Sequence, residues 1–574
     1  MPERLGPVPV SLRRSRGEDR LDSWKEIASY LGREVRTVQG WEKNEGLPIH
    51  RHQHGRQGSV YAFKSELDAW REDRKEAPEP IAPVQPRKPR RLRLQLAVAA
   101  VIAALVCGLF AWKSFHSKPA AEPSSSIVVL PFLDLSPQKD QEYFSDGITE
   151  EIIDALSRVP NLHVVARTSA FAFKGKPTDV REIGRQLNVS TVLEGSVRKS
   201  HDQLRITAQL NRVSDGYHLW SRTFDRQLRD VFEVQREISQ AIADQMKAGT
   251  VPSRAPTNDL EAYRSYQEGR FFFNQHLPPS SYRKAIERYQ QAIDRDPNFA
   301  LAYSGLADAY AYLAELWVAA PQEVMPKAKQ AAERAVALDS TLGEAHASLG
   351  VVKLDYDWDR QAAQNEFRKA MQLNPGSGWV HHWFAHSLEA QGRLDEATKE
   401  MRASMALDPL SVPIRWDIGH ELILAKRYNE ALQHLNKSLE LFPNHVILLI
   451  EKAMVLYLEG DLQSARPISD SLRTSGGGRQ DPALISFFGL FDAYAGRRDS
   501  AEQALRDLER LRQTQYVEPL LATEVCYVVR DHQCLVEWFK RGHDERSTQF
   551  VYTVLQKDVY GNDPEMQALA ADIR

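Results

Sequence analysis

Three prolines, Pro375, Pro409 and Pro443, stand 34 residues apart, and this period constrains the fold more than any other feature of the chain. Small residues recur in phase with it. Ala385, Gly419 and Ala453 form one column, Ala363, Ala397, Ala431 and Ala465 a second, and Ala370, Ser404 and Ser438 a third. Small side chains at a fixed phase mark places where two helices approach closely, and a period of this length suits a helix–turn–helix unit. Such a unit cannot bury its apolar face alone, so successive units must stack into one continuous core. Earlier units carry Gly269, Ala285, Ala292 and Pro297, and a later one Gly489 and Ala501.

These columns resemble the tetratricopeptide repeat family across residues 259–574. The resemblance implies an all-α superhelix of about seven or eight helix pairs, the last ones degenerate, with a concave groove for an unidentified protein or peptide. Trp379, Trp383, Phe384 and Trp416 suit helix packing better than the groove wall.

Residues 94–112 read LQLAVAAVIAALVCGLFAW, an uncharged apolar run just long enough to cross about 30 Å of hydrocarbon as a helix. Arg87, Lys88, Arg90, Arg91 and Arg93 precede it, whereas only Lys113 and Lys118 follow closely. That asymmetry predicts one transmembrane helix in a bacterial inner membrane, with the N-terminus cytoplasmic and the C-terminal domains periplasmic. Residues 76–93 read as a Pro-rich basic linker, 113–124 as a second linker and 1–20 as a disordered N-terminal segment. The whole chain has a net charge of -3, yet up to Gln95 roughly 20 basic side chains face roughly 14 acidic ones. The N-terminal part therefore suits an anionic partner.

Within residues 21–75, Ser23 or Asp22 can cap a helix whose apolar face is Trp24, Ile27, Ala28 and Leu31, and Gly32 can end it. A second helix follows with Val35, Val38 and Trp41 turned inward. A strand-like GSVYAF and a helix from Lys64 complete the segment. The arrangement resembles the winged helix-turn-helix of the MerR and phage excisionase type, which implies DNA binding. By position, Arg33, Arg36, Thr37, Gln39 and Lys43 would form the recognition unit. His50, Arg51, His52, His54 and Arg56 would belong to the wing. Two residues depart from the pattern: Glu34 stands where a Ser or Thr cap is usual, and Gly40 lies inside the recognition helix. The HRHQH run has no carboxylate or cysteine to complete a metal site, so it reads as a phosphate-contacting wing.

Residues 125–250 alternate strand and helix, predicting a small α/β domain. The phrases VLPFLDLS, YFSDGITEEIIDALSRV, VVARTSAFAFKGK, VLEGSVRK and YHLWSRTFDR resemble the TolB-like N-terminal domain of bacterial envelope and signalling proteins. FKGK lacks the glycine spacing of a phosphate loop, and no local nucleophile motif is recognisable, so neither an enzyme nor a bound cofactor is expected. Cys526 and Cys534 suit either a bridge between antiparallel helices or two core thiols.

Together these features predict a multidomain, membrane-anchored transcriptional regulator. Its winged helix-turn-helix would bind promoter DNA as a homodimer, and its TolB-like and repeat domains would sense a ligand or protein. The alternative is an envelope scaffold or assembly factor whose head docks a protein rather than DNA.

Overall fold

The computed structural model describes residues 19–51, 60–73, 125–252, 257–275, 279–474, 481–555, 560 and 563–573. Two units divide the chain between His116 and Ser117.

The N-terminal unit contains β1 (Arg20–Leu21), α1 (Trp24–Leu31), α2 (Val35–Glu45), β2 (His50–Arg51), β3 (Val60–Phe63) and α3 (Lys64–Asp73). Ser23 caps α1 by accepting from the Glu26 amide at 3.3 Å, and Gly32 ends it at φ 64°. Glu34 precedes α2 without capping it through its side chain. The strands form one antiparallel sheet in the order β1-β3-β2. Ile27, Leu31, Val38, Val60 and Leu67 make the core.

The second unit begins with β4 (Ser126–Val129), β5 (Leu133–Asp134), α4 (Glu142–Ser157), β6 (His163–Val164), α5 (Arg167–Phe171) and α6 (Val180–Leu187). It continues through β7 (Thr191–Ser200), β8 (Gln203–Arg212), β9 (His218–Gln227) and α7 (Val231–Gln245). Sheet order is β6-β4-β7-β8-β9, with β5 also on β7. β4 runs parallel to both its neighbours, and its Ile127, Val128 and Val129 are fully buried, as a central parallel strand requires.

From Leu260 the described chain is helical hairpins. The pairs are α8 (Leu260–Phe273) with α9 (Ser280–Arg295), α10 (Ala300–Glu315) with α11 (Pro321–Leu338), and α12 (Gly343–Asp355) with α13 (Arg360–Leu373). Next come α14 (Gly378–Glu389) with α15 (Leu394–Leu407), α16 (Val412–Leu424) with α17 (Tyr428–Leu441), and α18 (Val446–Leu458) with α19 (Leu462–Thr474). The last pairs are α20 (Pro482–Tyr494) with α21 (Arg498–Leu511) and α22 (Leu520–Val528) with α23 (His532–Asp544). A 3-10 turn (Thr548–Leu555) and α24 (Pro564–Ala570) follow. This is a tetratricopeptide-like superhelix, and its phase is the one read from the small columns. Ala363, Ala385, Ala397, Ala431, Ala453 and Ala465 are all fully buried. A Cβ on Gly419 would stand 2.9 Å from Leu435 Cδ2, and one on Gly350 2.6 Å from Phe367 Cε1. A disulfide joins Cys526 to Cys534 across the last pair.

First helices of successive pairs pack directly on one another, α10 on α12, α12 on α14, α16 on α18 and α20 on α22, which makes them the inner, more tightly curved row. The C-terminal segment packs back against the third pair. Trp358, after α12, is fully buried and donates its indole N–H to the Ser547 carbonyl at 3.2 Å. Its ring centroid lies 4.7 Å from that of Phe550, and the Arg546 guanidinium sits 3.9 Å from its centroid on donating to the Tyr356 carbonyl at 2.7 Å.

The expected transmembrane helix and inner-membrane, single-pass placement are corrected. No helix among the described residues is long and apolar enough to cross a membrane, and residues 94–112 lie outside those described. The longest α-helix among the described residues, Pro321–Leu338, has 18 residues, roughly 27 Å at 1.5 Å per residue, and carries Glu323, Lys327, Lys329, Glu333 and Arg334. The apolar faces of the array helices are spent on one another, leaving charge outside. Residues 1–18 and both expected linkers also fall outside the described chain.

Burial pushes the Asp308 carboxyl, beside Ser348 in this core, up to about 7. Between its ordinary value near 4 and about 7 the folded chain keeps a proton that the unfolded chain has lost, so this group's contribution to stability falls as pH rises through that window. Asp308→Asn should therefore flatten the decline and make the protein more stable than the parent at pH 8, by about 1 kcal/mol or more. Thermal unfolding midpoints at pH 5 and pH 8 check this; equal pH dependence in the two proteins would refute it.

Candidate functional site

In the N-terminal unit, Arg33, Arg36, Thr37, Gln39 and Lys43 are all exposed on α2 or its entry. Val38 of the same helix is fully buried, so the helix presents its polar side outward. Arg51 is exposed but donates to Glu42 Oε1 at 2.7 Å. His50 is partly exposed and engaged within the unit, its Nε2 2.7 Å from Glu66 Oε2 and its ring stacked on Tyr61. His52, His54 and Arg56 lie outside the described residues. Gly40 has open space where a Cβ would project, so no packing constraint demands glycine there.

In the second unit, the α/β domain is seated along the corners where one helix pair passes to the next. Arg158 donates to Glu344 Oε1 at 3.0 Å, and Ser157 Oγ to Asn374 Oδ1 at 3.1 Å. The Ala166 amide donates to the Leu407 carbonyl at 2.7 Å, and the Ser169 amide to Asp408 Oδ1 at 3.0 Å. At the start of the array, Arg270 lies 2.8 Å from Glu150 Oε2 and 2.7 Å from Asp154 Oδ2. The 34-residue register carries Leu373-Asn374 to Leu407-Asp408 and then to Leu441-Phe442. The second and first of these corners hold the α/β domain; the third leaves Leu441 52%, Val446 41% and Ile447 44% exposed.

The inner row carries buried polar groups. Tyr312, Trp379 and Trp383 form an aromatic run, with centroids 5.7 and 5.5 Å apart. Beyond it His382, His386 and Glu389 on α14 face Asp417 and Glu421 on α16. Burial opposes the Asp417 charge, but the two imidazoles hold its carboxyl well below the usual range. Burial likewise opposes the His386 cation, and Asp417 and Glu389 raise its pKa well above the ordinary value. Burial pushes Glu421 up to about 8. The Tyr552 hydroxyl, on the returning C-terminal turn, reaches Asp355 Oδ1 at 3.5 Å, and its ring lies 6.1 Å from that of His386. Further along, Glu451 accepts from Trp416 Nε1 at 2.9 Å and stands 3.0 Å from His420 Nδ1.

Sequence reasoning looked for metal ligands at HRHQH and passed over His382 and His386. Their spacing of four on one predicted helix was the available signal. Asp417 gave none, because its approach depends on how α16 stacks on the preceding pair.

A family profile described as a TPR repeat matches residues 280–313. A protein named Putative adenylate cyclase 3, from Rhizobium meliloti, is 36% identical over 260 residues, covering 43% of this chain and 44% of that protein. The chain thus spans under half the length of that relative. Transcriptional regulator HilA of Salmonella typhimurium is 22% identical over 418 residues, covering 72% of this chain and 67% of that protein. Among solved structures, PilW, described as a type IV pilus biogenesis factor, aligns with a TM-score of 0.32 at 17% identity, covering 38% of this chain and 94% of its own.

Proposed function

We propose that this chain is a protein-interaction scaffold that acts by binding rather than catalysis, with a protein partner seated on its repeat array. The observation that carries the reading is the row of corners. Two are filled by the chain's own α/β domain, and the next in register exposes Leu441, Val446 and Ile447. An apolar patch continuous with a docking surface already in use is where a further domain would add. The inner row is a poorer seat, because the C-terminal turn already packs there, with Tyr552 against Asp355 and His386. A photocrosslinking residue at Ile447 should yield a discrete protein adduct in cells, lost on Leu441→Glu and absent from a probe at exposed Lys437. The same adducts from both probe positions would sink this reading.

A second reading, transcriptional regulation, is favoured by the exposed Arg33, Arg36 and Lys43 on α2 and by the similarity to a protein named as a transcriptional regulator. Residues 1–80 should then bind duplex DNA with affinity that falls steeply with salt. Arg36→Ala and Lys43→Ala should each weaken binding and lower the salt slope by about one, and Gln39→Ala should alter sequence preference more than affinity. Parental binding in all three variants would exclude α2 as a recognition helix.

A further inference from the structure

We propose that His382, His386 and Asp417 bind a divalent transition-metal ion, zinc foremost, which pins α14 to α16. This goes beyond the scaffold reading and does not depend on it. His382 and His386 stand four apart on α14, so both imidazoles leave one face of the helix. Asp417 meets them from α16. His382 Nε2 is 2.7 Å from Asp417 Oδ2, and His386 Nε2 is 3.2 Å from His382 Nε2 and 3.7 Å from Asp417 Oδ2. Donor atoms about 2.0–2.1 Å from one tetrahedral zinc stand about 3.3–3.4 Å from each other, in the middle of that spread. Two imidazole nitrogens turned toward each other and toward the same carboxylate oxygen form the geometry that one shared cation organises.

Two further observations point to an ion. Glu421 follows Asp417 by four residues on α16, is 1% exposed, and has no hydrogen-bond donor at either carboxylate oxygen among the described residues. The hydroxyl of Thr398 beside it donates instead to the Leu394 carbonyl at 2.9 Å. A buried carboxylate without a partner is costly, and a cation held on the facing cluster would offset that cost. Second, His386 Nδ1 lies 2.9 Å from Glu389 Oε2, the outer carboxylate that fixes the ring and tautomer of a metal-binding histidine. Two imidazoles with one or two carboxylates suit zinc over magnesium or calcium, which take oxygen ligands. His382 and Asp417 are buried, so the ion would have a structural role at a closed site.

The test uses the full chain, stripped with a chelator and reloaded with Zn²⁺ alone. The parent should retain one tightly held zinc that excess Mg²⁺ or Ca²⁺ does not displace. Its X-ray absorption spectrum should show two imidazole ligands at about 2.0–2.1 Å. His382→Ala should weaken retention by about 100-fold or more, and Glu389→Gln by about 10–100-fold. His52→Ala with His54→Ala, in the histidine-rich run of the N-terminal unit, should leave it unchanged. A parent that retains no zinc, a spectrum without imidazole scattering, or equal retention by the His382→Ala/His386→Ala double variant would each overturn the proposal. The spectrum of the parent needs no variant, so a misfolded substitution cannot decide the matter.

Discussion

Arg270→Ala should destabilise the second unit by about 3–5 kcal/mol, the usual cost of removing one member of a buried ion-pair network. Arg270 lies between Glu150 and Asp154 of the α/β domain, and the Glu150 side chain is only 2% exposed. Arg167 also reaches Glu150, at 2.5 Å, but Asp154 would lose its Arg270 bond. Without Arg270 two carboxylates repel each other in a poorly solvated seam. The loss should appear as a lower thermal midpoint and as earlier proteolytic separation of the α/β domain from the array. Adding Asp154→Asn to Arg270→Met should recover much of it, because Glu150 keeps its bond to Arg167 and Asp154 no longer carries a charge. Parental stability of Arg270→Ala would show that the seam is held by packing alone.

Tyr289→Ala is expected to cost as much, about 3–5 kcal/mol, through a different mechanism. The Tyr289 ring is 2% exposed and fills the space over two glycines. A Cβ built on Gly269 would stand 2.7 Å from its Cδ1, and one on Gly305 2.6 Å from its Cζ. The ring therefore joins α8, α9 and α10 at a point where no backbone can move closer to fill a void. Gly305→Leu should destabilise by overpacking the same contact, by about 1–3 kcal/mol. Thermal unfolding of the full chain measures both. A midpoint unchanged in Tyr289→Ala would mean that the first pairs collapse onto the cavity and that the close glycine contacts do not constrain them.

Much of the local structure was legible. Pro375, Pro409 and Pro443 set the phase, and the alanines in register with them are the buried ones. Ser23 and Gly32 bound α1, and the alternation after Ser126 marked strands and helices close to those found. The short helix Arg167–Phe171 was missed, because five residues carry too little periodicity to register. Residues 94–112 were read on apolar length and flanking charge, and that reading did not carry over to any described helix.

What the chain determined by itself is local: helix pairs, their period, the capping of each end, and which faces are apolar. These depend on residues within a few turns of one another. Only the tertiary structure decided that residues 544–552 return to Trp358 and Asp355, that the α/β domain sits along successive corners, and that His382 and His386 meet Asp417. Each depends on the rotation between neighbouring pairs, a small angle set by side-chain volumes at every crossing and summed along the array. A repeat period states how long each unit is. Where the C-terminal segment meets the earlier pairs follows from the accumulated turn, and the period does not contain that turn.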